Sequence, residues 1–385
     1  MLPISNDYAL RERLRSCDVG SLPFTGDFEK FLRGASLYDS LLPLLTPNDP
    51  SISEPCEQFE KNVIEGLLGK LRAGIDVPNF PQFRDMNEMF LQLIDGVRKT
   101  KSGYELSGRL TIRSGRRVVP ELEVVRRNAS EITDAAGRRV ELKICITGPY
   151  TLSSVLVNKT SEAFRQFGEA LREIVGASVV AHKNMKVTLV SIDEPVFGLA
   201  SDTLLDRGSS GREILLKAWE EVCHEAKTKG AKTLIHLHNT ADDLFWSARD
   251  LDLVQSHVGD PMYESGGAKQ VCERSDKFIE ASVAITDFDC LIRQRIGMSK
   301  KRVSEASMGQ LVADAWGTIK AGKVDPTTYL EDSKMMRSRL ARILKLFGKQ
   351  RVLFAGPECG MRSFPNLECA LECLRRVSKV TKGRS

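Results

Sequence analysis

The chain has 385 residues, 42% of them apolar and 28% charged, and its 56 lysines and arginines against 51 aspartates and glutamates leave a formal charge of +5. So much apolar material excludes a disordered chain, and no run approaches the ~18 uncharged apolar residues that a membrane span requires. A charge this small, with no basic motif, excludes a protein built mainly to hold nucleic acid.

The start, Met1-Leu2-Pro3-Ile4-Ser5-Asn6-Asp7, lacks the basic and apolar regions of a secretory signal, so a cytoplasmic location is expected. Nine cysteines without a C-x-x-C spacing fit reduced thiols, most of them small core residues.

In chain order, β-rich runs are predicted at 17–21, 75–77, 143–148, 187–193, 233–238, 251–257, 280–286 and 352–356. Helices are predicted between most of them, at 161–181, 211–229, 307–321 and 326–346, from apolar residues three and four apart. Alternation of this kind means a parallel sheet, and about eight strands is the closure number of a barrel whose site lies at the carboxyl ends of its strands. The expected fold is therefore a single (β/α)8 TIM-type barrel spanning residues 1–385. One segment breaks the alternation. Residues 104–141 read as an antiparallel β insertion, with Ser114-Gly115 and Ala136-Gly137 as turns and eight arginines from Arg109 to Arg139 along it. It is either a solvated ribbon or a docking edge for an acidic partner.

Of five histidines, His236, His238 and His257 fall at the ends of two consecutive predicted strands. His236 and His238 are two apart and share a face, His257 ends the next strand, and Cys359 follows the last one. Imidazole and thiolate suit zinc, and the imidazole-rich set also suits copper, nickel or iron. Histidines at strand ends can equally be hydrogen-bonded structural residues. Cys272 and Cys290 are lesser candidates for a thiolate, while Cys369, Cys373 and Cys223 sit on apolar helix faces and read as core.

Four motifs, Val19-Gly20-Ser21-Leu22-Pro23, Ile146-Thr147-Gly148-Pro149-Tyr150-Thr151, Ile192-Asp193-Glu194-Pro195 and Gly356-Pro357-Glu358-Cys359-Gly360, occur in this order. Together they resemble the cobalamin-independent methionine synthase family, in particular its short, single-barrel archaeal-type members that match only the catalytic half. The resemblance implies a barrel that transfers a methyl group to a zinc-bound small thiol, homocysteine first, with coenzyme M close behind. It implies that Gly20 and Ser21 hold the substrate carboxylate, that Asp193 pairs with the substrate ammonium, and that Asp193 and Glu194 are the catalytic residues. It also implies that a single barrel takes its methyl group from methylcobalamin or a methylated corrinoid protein, which the arginine-rich insertion could dock.

The chain departs from the family pattern in three places. His236-Leu237-His238 stands where His-x-Cys is expected, and His257 stands where the family has glutamate. A second register makes His238 the histidine and Thr240 the replacement for cysteine. Asn79-Phe80-Pro81-Gln82-Phe83-Arg84 carries no acid ahead of Asp85-Met86-Asn87-Glu88, where the family has a glutamate. One thiolate with three neutral imidazoles also leaves a zinc site formally +1, more cationic than the family's. The alternatives are a methyltransferase for another thiol, a non-catalytic barrel subunit of a corrinoid system, and, more distantly, a metal-free decarboxylase barrel of the uroporphyrinogen type.

Overall fold

Runs rich in valine, leucine and isoleucine that are apolar on both faces become buried parallel strands, and the computed structural model, which describes residues 13–38, 49–299 and 304–383, places them so. The strands are β1 (Arg15–Ser16), β2 (Ile94–Thr100), β3 (Gly103–Ile112), β4 (Val140–Thr147), β5 (Met185–Glu194), β6 (Lys232–Leu237), β7 (Leu253–Gln255), β8 (Phe278–Ala284) and β9 (Val352–Pro357). Seven of them form one curled parallel sheet in the order β1-β9-β8-β7-β6-β5-β4, and β2 pairs with β3 in a separate antiparallel hairpin.

The closed eight-stranded barrel expected from the sequence is not formed. Where the eighth strand belongs, residues 77–82 make only single bridges, Cys17 to Val77 and Ser21 to Gln82 on one side and Asn79 to Lys143 on the other. The segment reads Val77-Pro78-Asn79-Phe80-Pro81-Gln82, and two prolines remove two ladder donors. A side chain does the work of the missing ladder. Asn79 Oδ1 accepts from the Cys145 N–H at 2.9 Å and its Nδ2 donates to the Val19 carbonyl at 3.0 Å, so the two sheet edges are tied through one amide. The fully buried Lys70 reinforces the seam by donating to Asp18, the Gly20 carbonyl and the Asn79 carbonyl.

The insertion also differs from expectation. The antiparallel part begins earlier, at Ile94, turns between Thr100 and Gly103, and ends at Ile112. Beyond it the chain is helical, over Pro120–Arg127 and Ala129–Ala136, because Leu122, Val125 and Ile132 recur at helical spacing behind a proline at the first turn. Ala136-Gly137 is a helix end rather than a hairpin turn. Six of the eight arginines are already engaged: Arg109 with Glu169, Arg113 with Asp95, Arg126 and Arg127 with Glu123, Arg138 with the Ile75 carbonyl and Arg139 with the His182 carbonyl. The predicted helix at 326–346 divides into a short turn, Pro326–Tyr329, and a helix, Ser333–Phe347, because the Asp332 carboxylate caps the Met335 N–H and starts the helix there.

The helices cover the outer face of the sheet, with Ser161–Ser178 packed closely on Ser210–Thr228 through Gly168 and Ala218. Inside the curl, polarity rises along the strands. Cys17, Val77, Leu189, Leu234, Leu253 and Phe354 form an apolar floor. Above it Lys143 of β4 meets Glu280 of β8 across the curl at 3.4 Å, both side chains fully buried. Period-two alternation then brings Asp193, His236 and Gln255 to the carboxyl ends. No helix among the described residues is long and apolar enough to cross a membrane.

Candidate metal centre

His236 is the fifth residue of β6, and His238 lies one step past its end. The strand predicted to reach His257 stops at Gln255, so His257 enters from a loop, as does Cys359 two residues past β9. The four still converge. One ligand atom from each of His236, His238, His257 and Cys359 lies within 4.8 Å of the others. His238 Nε2 is 3.4 Å from Cys359 Sγ, and the His238 and His257 rings are 4.0 Å apart between centroids.

Burial governs their protonation. It holds His236 well below the usual imidazole range, with the neighbouring histidines adding to the effect, and it lowers His238 to about 4. His257 is also lowered by burial, against the opposing pull of Asp260 and Asp287. All three are therefore neutral near pH 7 and carry a lone pair that a metal can take. Burial pushes the Cys359 thiol the other way, up to about 12.

Two nitrogens in this cluster, His236 Nε2 and His257 Nε2, are buried and have no hydrogen-bond partner. A buried polar atom left so is destabilising by about 1–3 kcal/mol, which makes each one notable. Donors around tetrahedral zinc, with bonds of about 2.0–2.3 Å, are separated by about 3.3–3.8 Å, so a modest contraction of the set closes it on a metal. The residues fit a transition-metal ion in number and type, the three imidazoles already have their lone pairs free, and the Cys359 thiol would release its proton on binding. In the alternative register Thr240 would contribute, but its N–H and hydroxyl both bond the Asp260 carboxylate. Cys272 bonds the Lys277 carbonyl, and neither it nor Cys290 joins the cluster. Cys223, Cys369 and Cys373 are buried as expected.

A cavity of about 350 Å³ opens onto this cluster, lined among others by Ser21, Gln82, Asp193, His236, His238 and Cys359. Ser21 is held against the Cys359 loop: its carbonyl accepts from the Met361 N–H, and a Cβ on Gly360 would stand 1.9 Å from its Oγ. Gly20, the other residue assigned to the carboxylate, has φ +135° and no room for a side chain beside Asn79, so it shapes the backbone. Asp193 receives the Ser191 hydroxyl at 2.7 Å. Burial raises its carboxyl to about 7, against the opposing pull of Lys143.

Glu194 goes elsewhere. Its carboxylate accepts from the N–H groups of Tyr150 and Thr151, the Thr151 hydroxyl and the Trp219 indole, so it joins β5 to two helices and does not line the cavity. Of the two carboxylates expected to be catalytic, only Asp193 reaches the cavity, and Glu194 is structural. The strand period signals this, since adjacent residues point to opposite faces.

Two residues were missed by sequence reasoning. Glu358 takes the Val258 N–H on one oxygen and the Thr286 N–H on the other, both at 2.9 Å, and so clamps the loops that carry His257 and Cys359. Gln255 reaches His236 Nδ1 with its Oε1 at 3.1 Å. Gln255 was legible in principle, since it lies two residues before His257 in the run predicted as one strand.

No protein-family model matches the chain, and no curated protein matches it. Among solved structures it is similar to a B12-independent methionine synthase from Shewanella sp. W3-18-1, in complex with selenomethionine. That alignment has a TM-score of 0.59 and 13% identity over 96% of this chain and 97% of that one. GH5_18 from Streptomyces cattleya, in complex with GlcNAc, aligns with a TM-score of 0.47 and 12% identity over 97% of this chain and 80% of that one. The first likeness shows a shared fold.

Proposed function

We propose that this chain is a metal-dependent methyltransferase that passes a methyl group to a small thiol, homocysteine before others. The observation that carries the proposal is the convergence of three neutral imidazoles and one thiol at the carboxyl side of a curled parallel sheet, with His236, His238 and Cys359 facing a cavity. The fold shared with a methionine synthase and the four sequence motifs support it.

His236, His238, His257 and Cys359 would hold the metal. A transition metal there supplies a Lewis acid that lowers the pKa of an acceptor thiol. The chain's own residues do the rest. Asp193 offers the cavity a carboxylate for the acceptor's ammonium, and Ser21 offers a hydroxyl for its carboxylate. The floor of leucines and the Asn79 seam keep the curl closed beneath them. In the transfer, the acceptor's thiol proton passes to solvent water, sulfur bonds to the methyl carbon, and the donor's bond to that carbon breaks with its electron pair left on the donor. The donor we propose is a methylated corrinoid, free or protein-bound.

Asp85, the other acid on the cavity wall, is occupied by the N–H groups of Asn87 and Glu88. Arg84 is paired with Glu121 through two bonds. This leaves the ammonium end of an amino-acid acceptor to Asp193, and it keeps a thiol without an ammonium, such as coenzyme M, as the second reading. The test is methyl transfer from methylcobalamin to homocysteine, coenzyme M and simple thiols by metal-loaded protein. Transfer to homocysteine that is lost in Asp193→Asn supports the reading, transfer to coenzyme M alone favours the second, and metal binding without transfer to any thiol overturns both.

A further inference from the structure

The cluster contains a second layer that the sequence motifs do not include. Gln255 is fully buried and stands opposite His236 in the β6–β7 register. Its amide is oriented by its surroundings. Nε2 lies 2.9 Å from the Pro357 carbonyl, which can only accept, and 3.4 Å from Ser282 Oγ. The Ser282 hydroxyl donates its own hydrogen to the Ser256 carbonyl, so toward Gln255 it also accepts. Turning the amide over would set its oxygen against both. Oε1 therefore faces the imidazole, and a carbonyl oxygen has no proton to give.

Hence His236 Nδ1 must carry the proton of that hydrogen bond. A neutral imidazole has one N–H, so Nε2 is a bare lone pair, and this is the buried nitrogen that lacks a partner. Resting on the metal-site reading above, we infer that Gln255 is the positioning residue that fixes the Nδ1–H tautomer of His236 and delivers its Nε2 to the metal. The same amide ties β7 to Pro357, two residues before Cys359, so one side chain sets the ring of one ligand and the approach of another. Histidine ligands are commonly oriented in this way by an acceptor on the far nitrogen.

The experiment uses full-length protein with 15N-labelled histidine, stripped with chelator, and reads the tautomer from two-bond proton–nitrogen correlations. In wild type, His236 is expected as Nδ1–H. Gln255→Leu should lose that preference, and Gln255→Glu, which keeps the acceptor, should retain it. In parallel, zinc affinity by chelator competition should fall about 10- to 100-fold in Gln255→Leu and recover in part in Gln255→Glu, whose second oxygen loses the bond to the Pro357 carbonyl. Wild-type His236 found as Nε2–H overturns the inference without recourse to any variant. Metal binding in wild type with unchanged affinity in Gln255→Leu overturns the positioning role and leaves the metal site standing, whereas wild type that takes up no metal overturns the site itself.

Discussion

His238 Nε2 and Cys359 Sγ approach to 3.4 Å across 121 positions of sequence. Strand order explains this contact, because β6 and β9 are both parallel and both end at the mouth of the curl. Purified without a histidine tag, the protein is expected to carry about one transition-metal ion per chain by mass spectrometry. Cys359→Ser and His238→Ala should each remove most of it while leaving the circular dichroism unchanged. Full occupancy in both variants would sink the four-residue site.

Glu358 is adjacent to Cys359 and bonded to the residue after His257, so it should matter to the metal without touching it. Glu358→Ala strands the Val258 and Thr286 N–H groups, each loss being worth about 1–3 kcal/mol. Urea denaturation should show that destabilisation, and zinc titration should show weakened binding. Glu358→Gln, which accepts at one of the two N–H groups and opposes the other, is expected to fall between. A variant as stable as wild type would show that the clamp does not hold the loops.

Asp193 introduces a dependence on pH. Burial raises its carboxyl from an ordinary 3.8 to about 7, so the folded protein keeps a proton that the unfolded chain has already released. Where the folded state binds more protons, stability falls as pH rises. The fall should span about pH 4 to 7 and amount to a few kcal/mol, since one unit is worth about 1.4 kcal/mol. Asp193→Asn is expected to flatten that slope in thermal melts between pH 5 and 7.5 and to raise the Tm at the upper end. The same variant should impair acceptors that carry an ammonium. A pH slope unchanged by the substitution would mean that another group is responsible.

Much of this was legible in the sequence. The strands that matter, β4 to β9, announce themselves as Val/Ile/Leu runs, and three of five histidines at strand ends point to one mouth. The missing stave was also written there, in Pro78 and Pro81, but its replacement by the Asn79 side chain depends on three segments meeting and has no local signal. The helices at 120–136 were hidden because arginines read as a solvated ribbon, although Leu122, Val125 and Ile132 carry the helical period. The Asp-Glu-Pro motif places Asp193 and Glu194 in one site, whereas strand alternation separates them. Gln255 could be placed only by its spacing from His257, and Glu358, although of a metal-binding type, is turned to the Val258 and Thr286 N–H groups by a meeting of loops that has no local signal.

The pair beneath the site ties stability to function. Lys143 and Glu280 meet at 3.4 Å with neither side chain exposed, and Glu280 Oε1 has no hydrogen-bond partner. A buried pair of this kind adds little to stability as a unit, but removing one partner leaves an uncompensated charge and destabilises by about 3–5 kcal/mol. Lys143→Met should therefore be strongly destabilised in urea, and adding Glu280→Leu should restore most of the loss, a coupling that double-mutant analysis reads directly. Single effects that simply add would refute the pairing. Lys143 is also the principal group holding the Asp193 carboxyl down against burial. In the Lys143→Met single variant Asp193 should titrate higher than in wild type, extending the pH-dependent loss of stability above pH 7, and the double variant should show less of this because it also lacks Glu280, which pushes Asp193 up. With more of Asp193 protonated at neutral pH in Lys143→Met, the KM for an ammonium-bearing acceptor should rise more than that for a neutral thiol.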